Sequence, residues 1–205
     1  MKKRVSLLAA IILTAICYVA ARLPSLNKPE MAALAARFRF KELPLPEVPG
    51  HPPYKFVRQV HPSLERISAW VSSVGAAATL ADLDGDGLPN DLILVDPRTD
   101  QVTVMPVPGT GDRYQSFVLD TAFWSHNAFD PATLAPTGSV AGDFNEDGLL
   151  DVLVYFWGRS PILYLRKSGG AMGEQLSAND FVPRELVEPG ERWYSDCATQ
   201  ADLDG

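Results

Sequence analysis

Cysteine and histidine are scarce in this 205-residue chain, two of the former and three of the latter. Cys17 lies within the chain's long apolar run and Cys197 is the one cysteine beyond it, so no disulfide framework is built in. His51, His61 and His126 are scattered, and no Cys or His pair has zinc-ligand spacing. No G-x-S-x-G phrase offers a serine nucleophile, and Gly109-Thr110-Gly111-Asp112 lacks the Lys-Ser/Thr ending of a phosphate-binding loop. Ser125 and His126 adjoin in sequence, which on a strand sends them to opposite faces. No catalytic residue is assigned, and the chain is not read as an enzyme. Basic charge is also short: 18 Lys and Arg stand against 25 Asp and Glu, a balance opposed to nucleic acid as a partner. Hydrophobic residues make up 46% and charged ones 21%, as in ordinary globular proteins, so disorder is not the default.

What is abundant is aspartate in one recurring phrase. It reads Ala81-Asp-Leu-Asp-Gly-Asp-Gly-Leu-Pro-Asn-Asp91, then Gly142-Asp-Phe-Asn-Glu-Asp-Gly-Leu-Leu-Asp151, then Ala201-Asp-Leu-Asp-Gly205. The leading aspartates Asp82, Asp143 and Asp202 recur at about 60 residues, the mark of a repeated structural unit. Oxygen donors on alternate residues of a tight loop, with Gly at the turn, suit a hard cation with a large flexible shell, Ca²⁺ rather than Mg²⁺. In the second phrase Asp143, Asn145 and Asp147 take positions 1, 3 and 5, Leu149 offers its carbonyl, and Asp151 closes the loop. Glu146, between ligand positions, is expected to face solvent. In the first phrase Asp82, Asp84 and Asp86 fill the same positions, with the Leu88 carbonyl next. One extra residue leaves Asn90 or Asp91 to close it, and Asp91 aligns better with Asp151. The third phrase shows only Asp202 and Asp204, too few for a site by themselves.

An EF-hand needs a bidentate Glu at position 12 and flanking helices. Ile93 and Val154 stand there instead, inside β-branched and aromatic runs that read as strands. The first period reads as strands over 76–82, 91–96, 101–107 and 114–119, the second over 139–144, 151–157, 161–167 and 181–187. Four strands per repeat arranged radially is the unit of a β-propeller. The Ala- and Gly-rich first strands fit a crowded axis, and Trp70, Trp124, Trp157 and Trp193 are expected to pack between units.

The amino terminus differs. Lys2, Lys3 and Arg4 precede an uncharged apolar run over 5–21, the layout of an export signal. Val19-Ala20-Ala21 offers a cleavage site, while an uncleaved anchor contacting membrane through 5–21 is the alternative. Either way the remainder is exported, to the cell surface, the periplasm or the medium. Residues 1–22 are thus a signal or anchor. Residues 23–56 hold a short helix over 28–42 and a proline-rich spacer, and 57–205 hold the repeats.

The two full phrases resemble FG-GAP/VCBS-type repeats, as in integrin alpha-subunit propellers. With Val60-His-Pro-Ser-Leu-Glu-Arg-Ile-Ser-Ala-Trp-Val-Ser-Ser-Val-Gly75, the stretch from about 57 is similar to bacterial exported relatives of the cartilage acidic protein (ASPIC) group. The resemblance implies an all-β fold, a seven-bladed propeller stabilised by calcium. Of it, this chain is expected to carry two blades and the start of a third, with further sequence beyond. It implies binding or scaffolding at the cell surface toward a protein or glycan. The competing expectations are the propeller portion of a surface hydrolase or lyase whose catalytic residues lie past residue 205, and a purely structural array.

Overall fold

The computed structural model describes residues 2–21, 26–46, 48, 50, 52–167, 175–187 and 190–201. It divides into two units, Met1–Leu43 and Pro44–Gly205. The first holds helix α1 (Lys2–Ala20) and helix α2 (Lys28–Ala35). Among the described residues no helix is long and apolar enough to cross a membrane. Helix α2 is shorter than the sequence pattern over 28–42. It starts on a capping box in which Asn27 accepts from the Glu30 N–H and Glu30 accepts from the Asn27 N–H.

The second unit is mostly β. Strands β1 (Ala77–Ala81), β2 (Asp91–Asp96), β3 (Gln101–Pro106) and β4 (Phe117–Val118) form one antiparallel sheet in sequential order. Strands β5 (Ala135–Gly142), β6 (Asp151–Trp157), β7 (Ile162–Arg166) and β8 (Phe181–Glu185) form a second sheet of the same order. The bounds of β2 and β6 are those the sequence pattern predicts. The first strands are not. β1 stops at Ala81 and β5 runs earlier, from Ala135 to Gly142, because the following residues give their N–H groups to the acidic turn instead of to a neighbouring strand. β4 is shorter than 114–119, since Tyr114 is withdrawn into the core by a side-chain bond described below.

The two sheets share one apolar core. Ile93, Val95, Val102 and Val104 from the first cluster with Val152, Val154, Phe156, Ile162 and Tyr164 from the second, all at most 1% exposed. Fully burying each such side chain stabilises by about 1.5–3 kcal/mol. The sheets meet along their first strands, where Thr79 Oγ1 donates to the Ser139 carbonyl at 2.9 Å. Within the second sheet, a Cβ at Gly138 would run into the ring of its cross-strand neighbour Tyr155. Trp124 is buried edge-on against Phe156 and donates to the Tyr164 hydroxyl at 2.9 Å. Trp157 packs edge-on against both Trp70 and Tyr194.

The segment ahead of β1 is fastened to both sheets by Arg58, which is 5% exposed. Its guanidinium donates to Asp100 Oδ1 at 2.6 Å and to the Pro97 carbonyl in the β2–β3 turn, and to the Leu134 carbonyl beside β5. The proline-rich stretch read as a spacer also contributes to this unit. Pro44, Leu45 and Pro46 line an open groove of about 630 Å³ with Pro106, Pro108 and Tyr114.

Candidate functional site: two acidic turns

Each sheet carries one acidic turn, joining its first strand to its second. Both turns are held by the same bonds. Asp82 Oδ1 accepts from the Asp86 N–H at 3.0 Å and Oδ2 from the Gly87 N–H at 2.9 Å. Asp143 accepts from Asp147 at 3.0 Å and from Gly148 at 2.8 Å through the corresponding oxygens. Asp84 and Asn145 each accept from the position-5 N–H at 3.2 Å. Asp86 accepts from Leu88 at 2.8 Å, and Asp147 from Leu149 at 2.9 Å. Gly87 and Gly148 sit at φ 88° and 84°, a conformation that costs side-chain-bearing residues strain. At position 4 the turns differ, with Gly85 at φ 78° and the exposed Glu146 at φ 59°.

The closing aspartates are both 0% exposed. Asp91 faces Ala81 across β1–β2, and Asp151 faces Gly142 across β5–β6. Asp91 Oδ2 accepts from Leu83 at 2.6 Å and Asp84 at 3.0 Å, and Asp151 Oδ2 accepts from Phe144 at 3.0 Å. Asn90 sends its amide to Asp86 Oδ2 at 3.0 Å, and its N–H to the Leu88 carbonyl at 2.8 Å. The extra residue of the first turn therefore caps Asp86, while Asp91 occupies the place of Asp151.

In the first turn one carboxylate oxygen each from Asp82, Asp84 and Asp91 lies within 4.8 Å of the others. That separation is about twice a Ca–O bond of about 2.4 Å, so three such oxygens fit one calcium shell. Asp86 is outside this trio. In the second turn no trio of acidic side chains converges in this way among the described residues. Asn145 donates its amide to Asp147 Oδ2 at 3.0 Å. Burial raises the pKa of Asp84, and nearby Asp91 raises it further. Burial likewise raises Asp151, against the opposing pull of the Arg166 and Phe144 N–H groups. The Asn90 amide bond lowers that of the exposed Asp86. Asp202 and Asp204 lie outside the described residues.

Two partners of the first turn are invisible in the acidic phrase itself. Arg113, 22 residues past Asp91, donates to Asp91 Oδ1 at 2.6 Å, to the Asn90 carbonyl at 2.9 Å and to Asp84 Oδ2, and lies 3.4 Å from Asp86. Tyr114 donates its hydroxyl to Asp91 Oδ1 at 2.9 Å. Burial pulls the Arg113 pKa down, but the bonds to Asp91 and Asp84 outweigh it and the net shift is upward. Burial first, then the bond to Asp91, raises the Tyr114 phenol, which stays a donor. The sequence cue to Arg113 is a basic residue two positions past the second of two turn-forming glycines, Gly109 and Gly111. Arg166 links the two systems: its N–H donates to Asp151 Oδ1 at 2.7 Å and its guanidinium to the Leu83 carbonyl.

Ser125 and His126 do not form a catalytic pair. Ser125 donates to the Ala122 carbonyl at 3.1 Å, and His126 Nδ1 lies 3.2 Å from Glu185 Oε1. No protein-family model matches the chain, and no curated protein or solved structure matches it.

Proposed function

We propose that this chain is an exported, calcium-binding β-propeller repeat protein of the FG-GAP/VCBS type, with a binding or scaffolding role at the cell surface. The observation that carries the reading is the pair of acidic turns. They differ in sequence and length, yet they share one bonding scheme at the same point of two like four-stranded sheets. A hairpin turn by itself does not require aspartates on alternate residues. Repetition of that costly concentration of charge favours a ligand that neutralises it.

Asp143, Asn145, Asp147, the Leu149 carbonyl and Asp151 would hold the ion in the second turn, and Asp82, Asp84, Asp86, Leu88 and Asp91 occupy the corresponding positions of the first. Bound calcium would offset carboxylate repulsion and tie the end of one strand to the start of the next. The side-by-side approach of β1 and β5 supports two blades whose inner strands line a common axis. Loops between strands would then form the face that meets a protein or glycan. Export rests on Lys2-Lys3-Arg4 followed by the apolar run over 5–21.

The test is thermal melting of the full chain in calcium and in EDTA, with Asp147→Ala alongside. Calcium should raise Tm in the parent and have a smaller effect in the variant. A parent Tm unmoved by EDTA sinks the calcium reading.

A further inference from the structure

The two turns are not equally able to take a metal. Each carboxylate oxygen offers two acceptor positions, four per group. Asp91 fills all four: Leu83 and Asp84 N–H groups on Oδ2, Arg113 and Tyr114 on Oδ1. Asp151 accepts two bonds among the described residues, from Phe144 on Oδ2 and Arg166 on Oδ1. The other two acceptor positions take no bond from the described residues.

Arg113 also stands where a cation would be held. Its guanidinium spans Asp84 and Asp91, two of the three residues whose oxygens converge, and it is 17% exposed. The chain is built to bring it there. After β3 a turn closes with the Thr110 N–H and hydroxyl both donating to the Val107 carbonyl. Gly109 and Gly111 at φ 88° and 104° then reverse the backbone toward the acidic turn. Tyr114, 4% exposed, anchors the following residue, and the guanidinium lies 5.6 Å from its ring centroid.

Among the described residues the second sheet has no counterpart. The stretch after β7, residues 168–174, reads Ser-Gly-Gly-Ala-Met-Gly-Glu and contains no basic residue. The two basic residues just before it are engaged elsewhere, Arg166 on the Leu83 carbonyl and Lys167 Nζ on the Asn179 carbonyl at 2.6 Å. We propose that Arg113 is the resident cation of the first turn, which folds without a metal and excludes Ca²⁺, and that the second turn is the one that takes the ion.

This inference rests on the calcium reading, and the experiment separates the two. Calcium binding to the full chain is titrated with CaCl₂ in the parent, Asp147→Ala, Arg113→Gln and the double variant, with melting of each in EDTA. Asp147→Ala should lose the second-turn calcium, and Arg113→Gln in that background should gain one equivalent that Asp84→Ala then abolishes. Tyr114→Phe, which frees one acceptor position on Asp91 and preserves the ring, should give a weaker gain of the same kind. Calcium that persists in Asp147→Ala and disappears with Asp84→Ala would overturn the inference, because the first turn would bind metal with Arg113 in place. A parent that binds no calcium overturns the functional reading and leaves the EDTA arm to decide the role of Arg113. There Arg113→Gln should melt several degrees below the parent (about 4 °C or more), and an unchanged Tm overturns the resident-cation assignment.

Discussion

The two acidic turns solve one problem in two ways. Both gather carboxylates at the end of a first strand, and both bury the closing aspartate completely. In the first, the neutralising charge and the donors to the last acceptor positions are supplied by the chain itself through Arg113 and Tyr114. In the second, the closing aspartate is met among the described residues by backbone N–H groups alone. The extra residue of the first turn accounts for part of this. Asn90 gives its carbonyl to the Val107 N–H at 2.9 Å, so that N–H does not reach the closing aspartate as the Arg166 N–H does in the second sheet. Asp91 Oδ1 is left for side chains. A one-residue insertion thus changes which chemistry completes the turn while the strand pairing stays the same.

The comparison breaks most visibly at the closing aspartates. Asp91→Ala removes four acceptor bonds and one of the two carboxylates that accept from the Arg113 guanidinium, so a loss of about 3–5 kcal/mol is expected in urea unfolding. Asp151→Ala, measured in EDTA, should cost less, about 1–3 kcal/mol, since it leaves N–H donors rather than a charge unsatisfied. Equal losses would contradict the difference between the turns.

Metal dependence should follow the same division. Saturating the protein with calcium at about 100 times its Kd should stabilise it by about 2.7 kcal/mol. Asp147→Ala should abolish most of that gain and Asp86→Ala little of it, read as Tm shifts between calcium and EDTA. The reverse order would place the ion in the first turn.

A smaller effect sharpens the contrast between the sheets themselves. Met105 and Tyr164 are equivalent by register, opposite Leu92 and Val152. Only Tyr164 carries a hydroxyl, which accepts from Trp124 and donates to the Asp120 carbonyl at 2.8 Å. Tyr164→Phe leaves the buried Trp124 indole N–H without its acceptor and should cost about 1–2 kcal/mol in urea unfolding. The smallest effect belongs to position 4. Glu146→Gly relieves a left-handed non-glycine residue at about 1 kcal/mol, offset by the added freedom of the unfolded chain. A Tm change within about 2 °C is expected, and a large loss would mean that Glu146 contributes a contact of its own.

Much of the architecture was legible because its signals are local. The β-branched runs opened by Asp91 and Asp151 read as strands, and β2 and β6 have those bounds. The Asp-Gly phrases read as turns, and their internal bonds join residues two to five apart. Where the reading missed, a distant partner intervened. Phe144 leaves β5 because its N–H goes to Asp151, and Tyr114 is taken from β4 by Asp91. Trp124 was read as packing between repeated units, and it does lie in the core shared by the two sheets. Its donor bond to Tyr164 was not foreseen, because it joins residues 40 apart.

By itself, then, the sequence determined the acidic phrases, their turn chemistry and the β-branched runs that assign β2 and β6, because each depends on residues within one loop or one strand of each other. The tertiary structure alone decided which acidic turn completes itself. That outcome depends on Arg113 and Tyr114 reaching back 22 and 23 residues to one carboxylate, and on the matching stretch of the second sheet having no cation to send. Charge pairing at such a range is set by where the chain is folded back, and no local pattern records it.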